Sequence, residues 1–208
     1  FQEKLDWMDT FVREQVEPLD YAFRDAGAPY DRKNPVYKKI TDPLKAEVRK
    51  HGLWACHLGP ELGGCGYGQV KLALLNEILG RSMWAPNIFG CQAPDSGNAE
   101  ILAHYGTDAQ KQTYLKPLLD GDIVSCFSMT EPQGGADPRE FRCHAVRDGD
   151  HWVIDGEKYF SSHADLAEFL IVMVITNPDV PIHQGASMFL VPRGAPGVNI
   201  VRLAGLGH

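Results

Sequence analysis

Cys126-Phe127-Ser128-Met129-Thr130-Glu131-Pro132-Gln133-Gly134-Gly135-Ala136-Asp137-Pro138 is an apolar-rich run that breaks into a proline-bounded turn holding two glycines. The pattern predicts a strand from Ile123 to Met129 that ends as the turn begins. The glycines let backbone N–H groups come close to an anion, as a pyrophosphate requires, and Thr130 presents a hydroxyl where the strand ends. Taken singly, the same stretch is also an ordinary tight turn closed by a threonine.

This run marks a change of period. Upstream, Leu5, Met8, Val12, Val16 and Leu19 recur every three or four residues and form one apolar stripe on a helix. Leu44 and Val48 lead a second helix, opened by Asp42 as cap with Pro43 at its first position. Leu72, Leu75, Ile78 and Leu79 mark a third. Ile101 to Tyr105 belongs to a fourth that stops at Gly106, and Thr107 with Gln110 forms a capping box for a fifth. Downstream come short runs expected as strands: Phe141 to Arg147, His151 to Glu157, Phe169 to Ile175, Ser187 to Pro192 and Val198 to Leu203. Arg147-Asp148-Gly149-Asp150 reads as a hairpin turn. The expected fold is therefore α+β: an all-α helical bundle over residues 1–121, then a small antiparallel β-barrel or sandwich over residues 122–208.

Composition narrows the function classes. A net charge of -7 offers no basic surface to a phosphate backbone, so nucleic acid is not an expected partner. The longest apolar run, Phe169 to Ile175, is far shorter than the roughly 20 residues of a membrane-spanning helix. Cys56, Cys65, Cys91, Cys126 and Cys143 are irregularly spaced with no CxxC pair, which suits reduced thiols in a cytoplasmic or mitochondrial-matrix compartment. His57 beside Cys56 lacks two further ligands at zinc spacing, and no metal is expected. The glycine-rich Gly59 to Gly68 has neither the Lys-Ser/Thr of a phosphate loop nor a preceding strand, and reads as a connection between helices. No G-x-S-x-G elbow accompanies Ser162-His163, which argues against a serine hydrolase.

A second segment, Asp155-Gly156-Glu157-Lys158-Tyr159-Phe160-Ser161-Ser162-His163-Ala164, leads from a hairpin strand to an aromatic residue and two small hydroxyls. An isoalloxazine needs a flat apolar face and a donor near its N5/O4 edge, and Phe160 with Ser162 has the chemistry for both. By itself the segment is also an aromatic core residue beside a polar turn.

Together the two segments resemble the acyl-CoA dehydrogenase family, which carries T-E-P-x-A-G-S-D on a strand of its central barrel. After a hairpin of the G-D-x-W/Y-V-I-N/D-G-x-K type the family then carries W-I-T-N. Here the motifs read Thr130-Glu131-Pro132-Gln133-Gly134-Gly135-Ala136-Asp137 and Phe160-Ser161-Ser162-His163. Gly106 to Leu115 with Pro117 to Gly121 resembles the helix that leads to the barrel, Pro192 to Gly197 resembles V-P-x-x-x-P-G-V, and effectively the whole chain is covered. The resemblance implies FAD as cofactor and conversion of an acyl-CoA to a trans-2-enoyl-CoA with hydride transfer to flavin N5. It places Phe127, Met129 and Thr130 toward the flavin and acyl group, Gly135 and Ala136 at the pyrophosphate, Phe160 against the ring and Ser162 near N5 and O4. Glu131 is expected to be structural. Ala136 stands where the family has Ser, Phe160 where it has Trp and His163 where it has Asn.

Gly90 to Asn98 resembles a subgroup that takes longer or branched acyl chains. The family's base is a Glu on a C-terminal helical bundle, and this sequence stops at Leu206-Gly207-His208 before any such bundle, so no catalytic residue is assigned. The resemblance also implies electron-transfer flavoprotein or a similar acceptor, and a homodimer or homotetramer. An acyl-CoA oxidase or a flavin monooxygenase on the same fold is the alternative reading.

Overall fold

The computed structural model describes residues 1–24, 28–62 and 64–203; residues 25–27, Gly63 of the glycine-rich loop and the chain end from Ala204 lie outside them. The chain divides into two compact units, Phe1–Val124 and Ser125–His208, and the secondary structure changes from helix to strand between them.

In the first unit, α1 (Gln2–Phe11), a π-helical turn (Val12–Val16) and α2 (Glu17–Ala22) run on continuously. Their apolar stripe is buried: Met8, Val12 and Val16 have no exposed surface. The widened turn precedes Pro18, which has no N–H for the helical ladder and would clash with the carbonyl four residues back. The same device recurs where a π-helical turn (Lys111–Leu115) precedes Pro117.

The second helix starts earlier than the sequence suggests. α3 spans Pro35–Lys50, with Asn34 accepting from the Val36 N–H at 3.0 Å, and Pro43 lies inside it. Asn34-Pro35 and Asp42-Pro43 carry the same cap signature, so local sequence does not choose between them. Tertiary contact decides, because Arg32 bonds the Asp42 carboxylate at 2.8 Å and Thr41 at 2.8 Å. α4 (Gly68–Leu79) and α5 (Ala85–Ile88) follow, and Val48, Leu53, Leu75, Leu79, Trp84, Ile88 and Phe89 close the core around α1. Each such side chain contributes about 1.5–3 kcal/mol by leaving water. α6 (Asp95–Tyr105) stops at Gly106, and α7 (Asp108–Gln110) opens with both halves of the Thr107/Gln110 capping box, at 3.2 and 2.9 Å. After α8 (Lys116–Asp120), Trp54 ties the C-terminal end of the unit down by donating to the Leu119 carbonyl at 2.9 Å. Within this unit Gly64 donates to the Gly59 carbonyl at 2.9 Å, so the glycine-rich loop closes on itself as a connection.

The second unit is one five-stranded sheet: β1 (Ser125–Ser128), β2 (His144–Asp148), β3 (His151–Asp155), β4 (Phe169–Ile175) and β5 (Ala186–Pro192). A short helix, α9 (Ile182–Gly185), leads into β5. β2 and β3 form the expected hairpin, with Gly149 at φ +58° in the connection, and β5 lies antiparallel to β4. β1 pairs with β4 in parallel, from Ser125↔Phe169 to Ser128↔Val172, so the sheet is mixed and not wholly antiparallel. A parallel pair needs a crossover of a dozen residues or more, which the stretch containing the β2–β3 hairpin provides. β4 is the central strand; Phe169 and Ile171 are buried on one face and Leu170, Val172 and Val174 on the other, which accounts for its continuous apolar run. Cys126, Cys143, Ala145 and Ala167 join that second face, packed by Phe189 and Val191. Val198 to Leu203 forms no strand; Val201 and Leu203 are exposed, and apolar alternation alone makes no ladder without a partner strand.

Candidate functional site

The two motif segments meet at the end of β1. The Tyr159 N–H donates to the Thr130 carbonyl at 2.8 Å, and the Ser128 hydroxyl donates to Ser161 at 2.9 Å. Lys158 makes the third tie: its ammonium donates to the Met129 carbonyl at 2.9 Å and to Glu131 Oε1 at 2.7 Å. The same Nζ lies 4.9 Å above the centre of the Phe141 ring. Residues some thirty positions apart are thereby held side by side.

Glu131 is the centre of this arrangement and only 3% exposed. Its carboxylate also accepts from the Arg142 N–H at 2.6 Å, the Cys143 N–H at 3.1 Å and the Gln133 amide at 2.6 Å. Burial alone pushes this carboxyl up, but Lys158 and the two backbone N–H groups outweigh it and hold the pKa below its ordinary value. A buried charge so fully bonded has no lone pair to spare for proton transfer, and its role is structural. Glu131 and Gly134 close the proline turn with reciprocal backbone bonds at 2.9 and 3.1 Å.

The turn presents its next residues outward. Gly135 and Ala136 are exposed, and among the described residues their N–H groups carry no hydrogen bond. A Cβ on Gly135 would stand 3.1 Å from Thr130 Cγ2, so only glycine fits without pressing on Thr130. Free N–H groups over a close-packed backbone suit an anionic oxygen, which is the fit a pyrophosphate demands. The nearby Arg139 is committed to Asp137, whose carboxyl its side-chain bonds hold down at about 2.

The other sequence-derived residues divide by face. Cys126 and Ser128 point to the sheet core, so alternation puts Phe127, half-buried, on the opposite face. Met129 and Thr130 follow the strand end and are half-buried. Phe160 is 70% exposed at φ +53°, edge-on to Tyr159 at 4.8 Å, and Ser162 is exposed beside it. Motif reading held Lys158 only as the last position of the hairpin pattern, with no role, and missed the Ser128–Ser161 bond. The available signal was a lone lysine in the run to Phe160, whose polar head needs a partner once its stem is buried.

Among the described residues no three His, Cys, Asp or Glu side chains group to hold a metal, and no helix is long and apolar enough to cross a membrane. Burial pushes His57 below the ordinary histidine value.

The acyl-CoA dehydrogenase N-terminal domain matches residues 2–122 and the acyl-CoA dehydrogenase middle domain matches residues 126–208. The chain belongs to the acyl-CoA dehydrogenase family. It is 44% identical over 202 residues to the probable acyl-CoA dehydrogenase FadE2 of Mycobacterium tuberculosis, covering 94% of this chain and 48% of that protein. Identity to acyl-CoA dehydrogenase family member 10 of Mus musculus is 37% over 200 residues, covering 92% of this chain and 18% of that protein. The structure of a putative acyl-CoA dehydrogenase from Mycobacterium abscessus superposes with a TM-score of 0.83 at 34% identity, covering 98% of this chain and 53% of that one. The chain thus spans about half, or less, of the length of the relatives it matches.

Proposed function

We propose that this chain holds the FAD and part of the acyl pocket of an acyl-CoA dehydrogenase, acting in α,β-dehydrogenation of an acyl-CoA thioester. The observation that carries the reading is the junction of the strand end at Thr130 with the turn at Tyr159–Ser161, made by the bonds described above. In this reading residues 1–121 and 122–208 are the N-terminal helical and central β-domains.

FAD, when bound, supplies the hydride acceptor. Gly135 and Ala136 would donate backbone N–H groups to the pyrophosphate. Ala136 brings no hydroxyl, so that contact is made by backbone alone. The Thr130 hydroxyl would serve the pyrimidine edge, the exposed Phe160 ring would offer a flat apolar face, and the Ser162 hydroxyl would donate toward the N5/O4 edge. Phe127 and Met129 border the flavin and the acyl group. The α-proton would go to a carboxylate, and Glu131, whose oxygens are fully engaged, is not that group. Electron-transfer flavoprotein or a similar acceptor would take the electrons, and the assembly would be a homodimer or homotetramer.

The test is anaerobic titration of the purified yellow protein with acyl-CoA esters of graded length. Bleaching of the flavin band with formation of the enoyl-CoA is the expected result. A protein that carries no FAD, or a flavin that acyl-CoA leaves oxidised, overturns the reading. Rapid oxygen consumption in the same mixture points to an acyl-CoA oxidase.

A further inference from the structure

We infer that Lys158 is a positioning residue: through Met129 and Glu131 it fixes the flavin-facing turn at Phe160–Ser162 against the end of β1 before any cofactor binds. The inference rests on the proposed flavin site and adds a role for the lysine that closes the hairpin motif, to which that reading assigns none.

Geometry carries it. The Lys158 side chain is 10% exposed and its Glu131 partner 2%, so the pair is screened little by water. Each Lys158 bond reaches a different part of the first motif: the Met129 carbonyl lies at the strand end, and Glu131 opens the turn that displays Gly135 and Ala136. Phe141 closes the remaining side of the ammonium. Immediately after Lys158, the Tyr159 N–H reaches Thr130, and two residues later Ser161 reaches Ser128. Phe160 adopts positive φ between these two ties, a conformation that an aromatic residue holds only when its neighbours impose it.

Glu131 and Lys158 do not contribute equally. Without Lys158 the carboxylate keeps the Arg142 and Cys143 N–H groups and the Gln133 amide, so the first segment retains its turn. What is lost is the charged one of the three ties to the second segment, which leaves the Tyr159–Thr130 and Ser128–Ser161 bonds to hold the junction alone. A ligand that needs both segments together then binds only the fraction of molecules in which they still meet, and its apparent affinity falls by that fraction. Charge-assisted bonds of this kind bias such an equilibrium by roughly tenfold or more.

The experiment compares wild type with Lys158→Met, which keeps the stem and removes the ammonium. In apo-protein, amide hydrogen exchange at Tyr159 should accelerate while β4 keeps its protection. In the FAD titration the dissociation constant should rise about tenfold or more, and the residual flavin spectrum should shift toward that of free FAD. Thr176→Val is the control, because it removes the 2.8 Å Thr176–Ser187 bond at the far end of β4 and touches neither segment. It should lower thermal stability and leave FAD affinity unchanged. Unchanged Tyr159 exchange in Lys158→Met overturns the clasp itself. Faster exchange with unaltered FAD affinity overturns positioning and leaves Lys158 a structural residue. A wild type that takes no FAD overturns the flavin reading and the positioning role with it, while the exchange arm still reports the clasp. Should Lys158→Met not fold, Lys158→Gln, which keeps a donor for Met129 and loses the charge, is read on the same scale.

Discussion

Gly156 leaves β3 at φ +149°, and a Cβ added there would stand 2.6 Å from Cys143 Cα and 2.6 Å from its Cβ. Gly156→Ala therefore meets two costs. Backbone strain in a region that L-residues avoid is worth about 1–3 kcal/mol. Overpacking against a neighbour adds about 1–3 kcal/mol. Because one clashing atom is backbone, rotation of the Cys143 side chain gives no relief, and a combined loss of roughly 3 kcal/mol or more follows. With a urea slope of about 2 kcal/mol per molar, that lowers the unfolding midpoint by about 1.5 M. Gly149→Ala is the internal comparison: its φ is +58° but nothing lies within 4 Å of its would-be Cβ. It should cost only the left-handed strain, about 1 kcal/mol, and about 0.5 M in midpoint. Equal midpoints for the two variants would refute the clash argument. The effect also reaches the site, since the Cys143 N–H is one of the donors to Glu131.

Three other outcomes are expected. Thr107→Ala removes the hydroxyl that accepts from the Gln110 N–H, one half of the capping box, and should lower stability by about 1 kcal/mol in the same urea assay; an unchanged midpoint would show that half to be redundant. Burial, reinforced by Arg32 and Arg49 and opposed by Asp42 and Asp95, pushes Lys45 down to about 7 from 10.5. The unfolded chain therefore binds the extra proton between those values, so stability should rise with pH across that window, and Lys45→Met should remove that rise; a parallel pH profile for the variant would contradict the shift. Ser162→Ala should slow flavin reduction by acyl-CoA more than it weakens FAD retention; unchanged stopped-flow reduction would take Ser162 out of the N5 assignment.

How far the sequence reached is visible residue by residue. Phe169–Ile175 was legible to its last residue because a strand buried on both faces writes an unbroken apolar run. The Thr107/Gln110 box and the Gly149 turn were legible because their partners lie within three residues, where the chain has few geometries to choose from. Helix α3 was read too short, since two Asn/Asp-Pro signatures are equivalent until Arg32 engages Asp42.

The sequence by itself settled the helical and β halves and the family motifs, all of which depend on periodicity or on neighbours along the chain. Tertiary structure alone decided that β1 runs parallel to β4, that Val198 to Leu203 stays out of the sheet, and that Lys158 reaches Met129 and Glu131. Each of these is a pairing between segments far apart in the chain. Its free energy depends on which donors, acceptors and apolar faces remain once every other segment has found its partner, and no local window contains that competition.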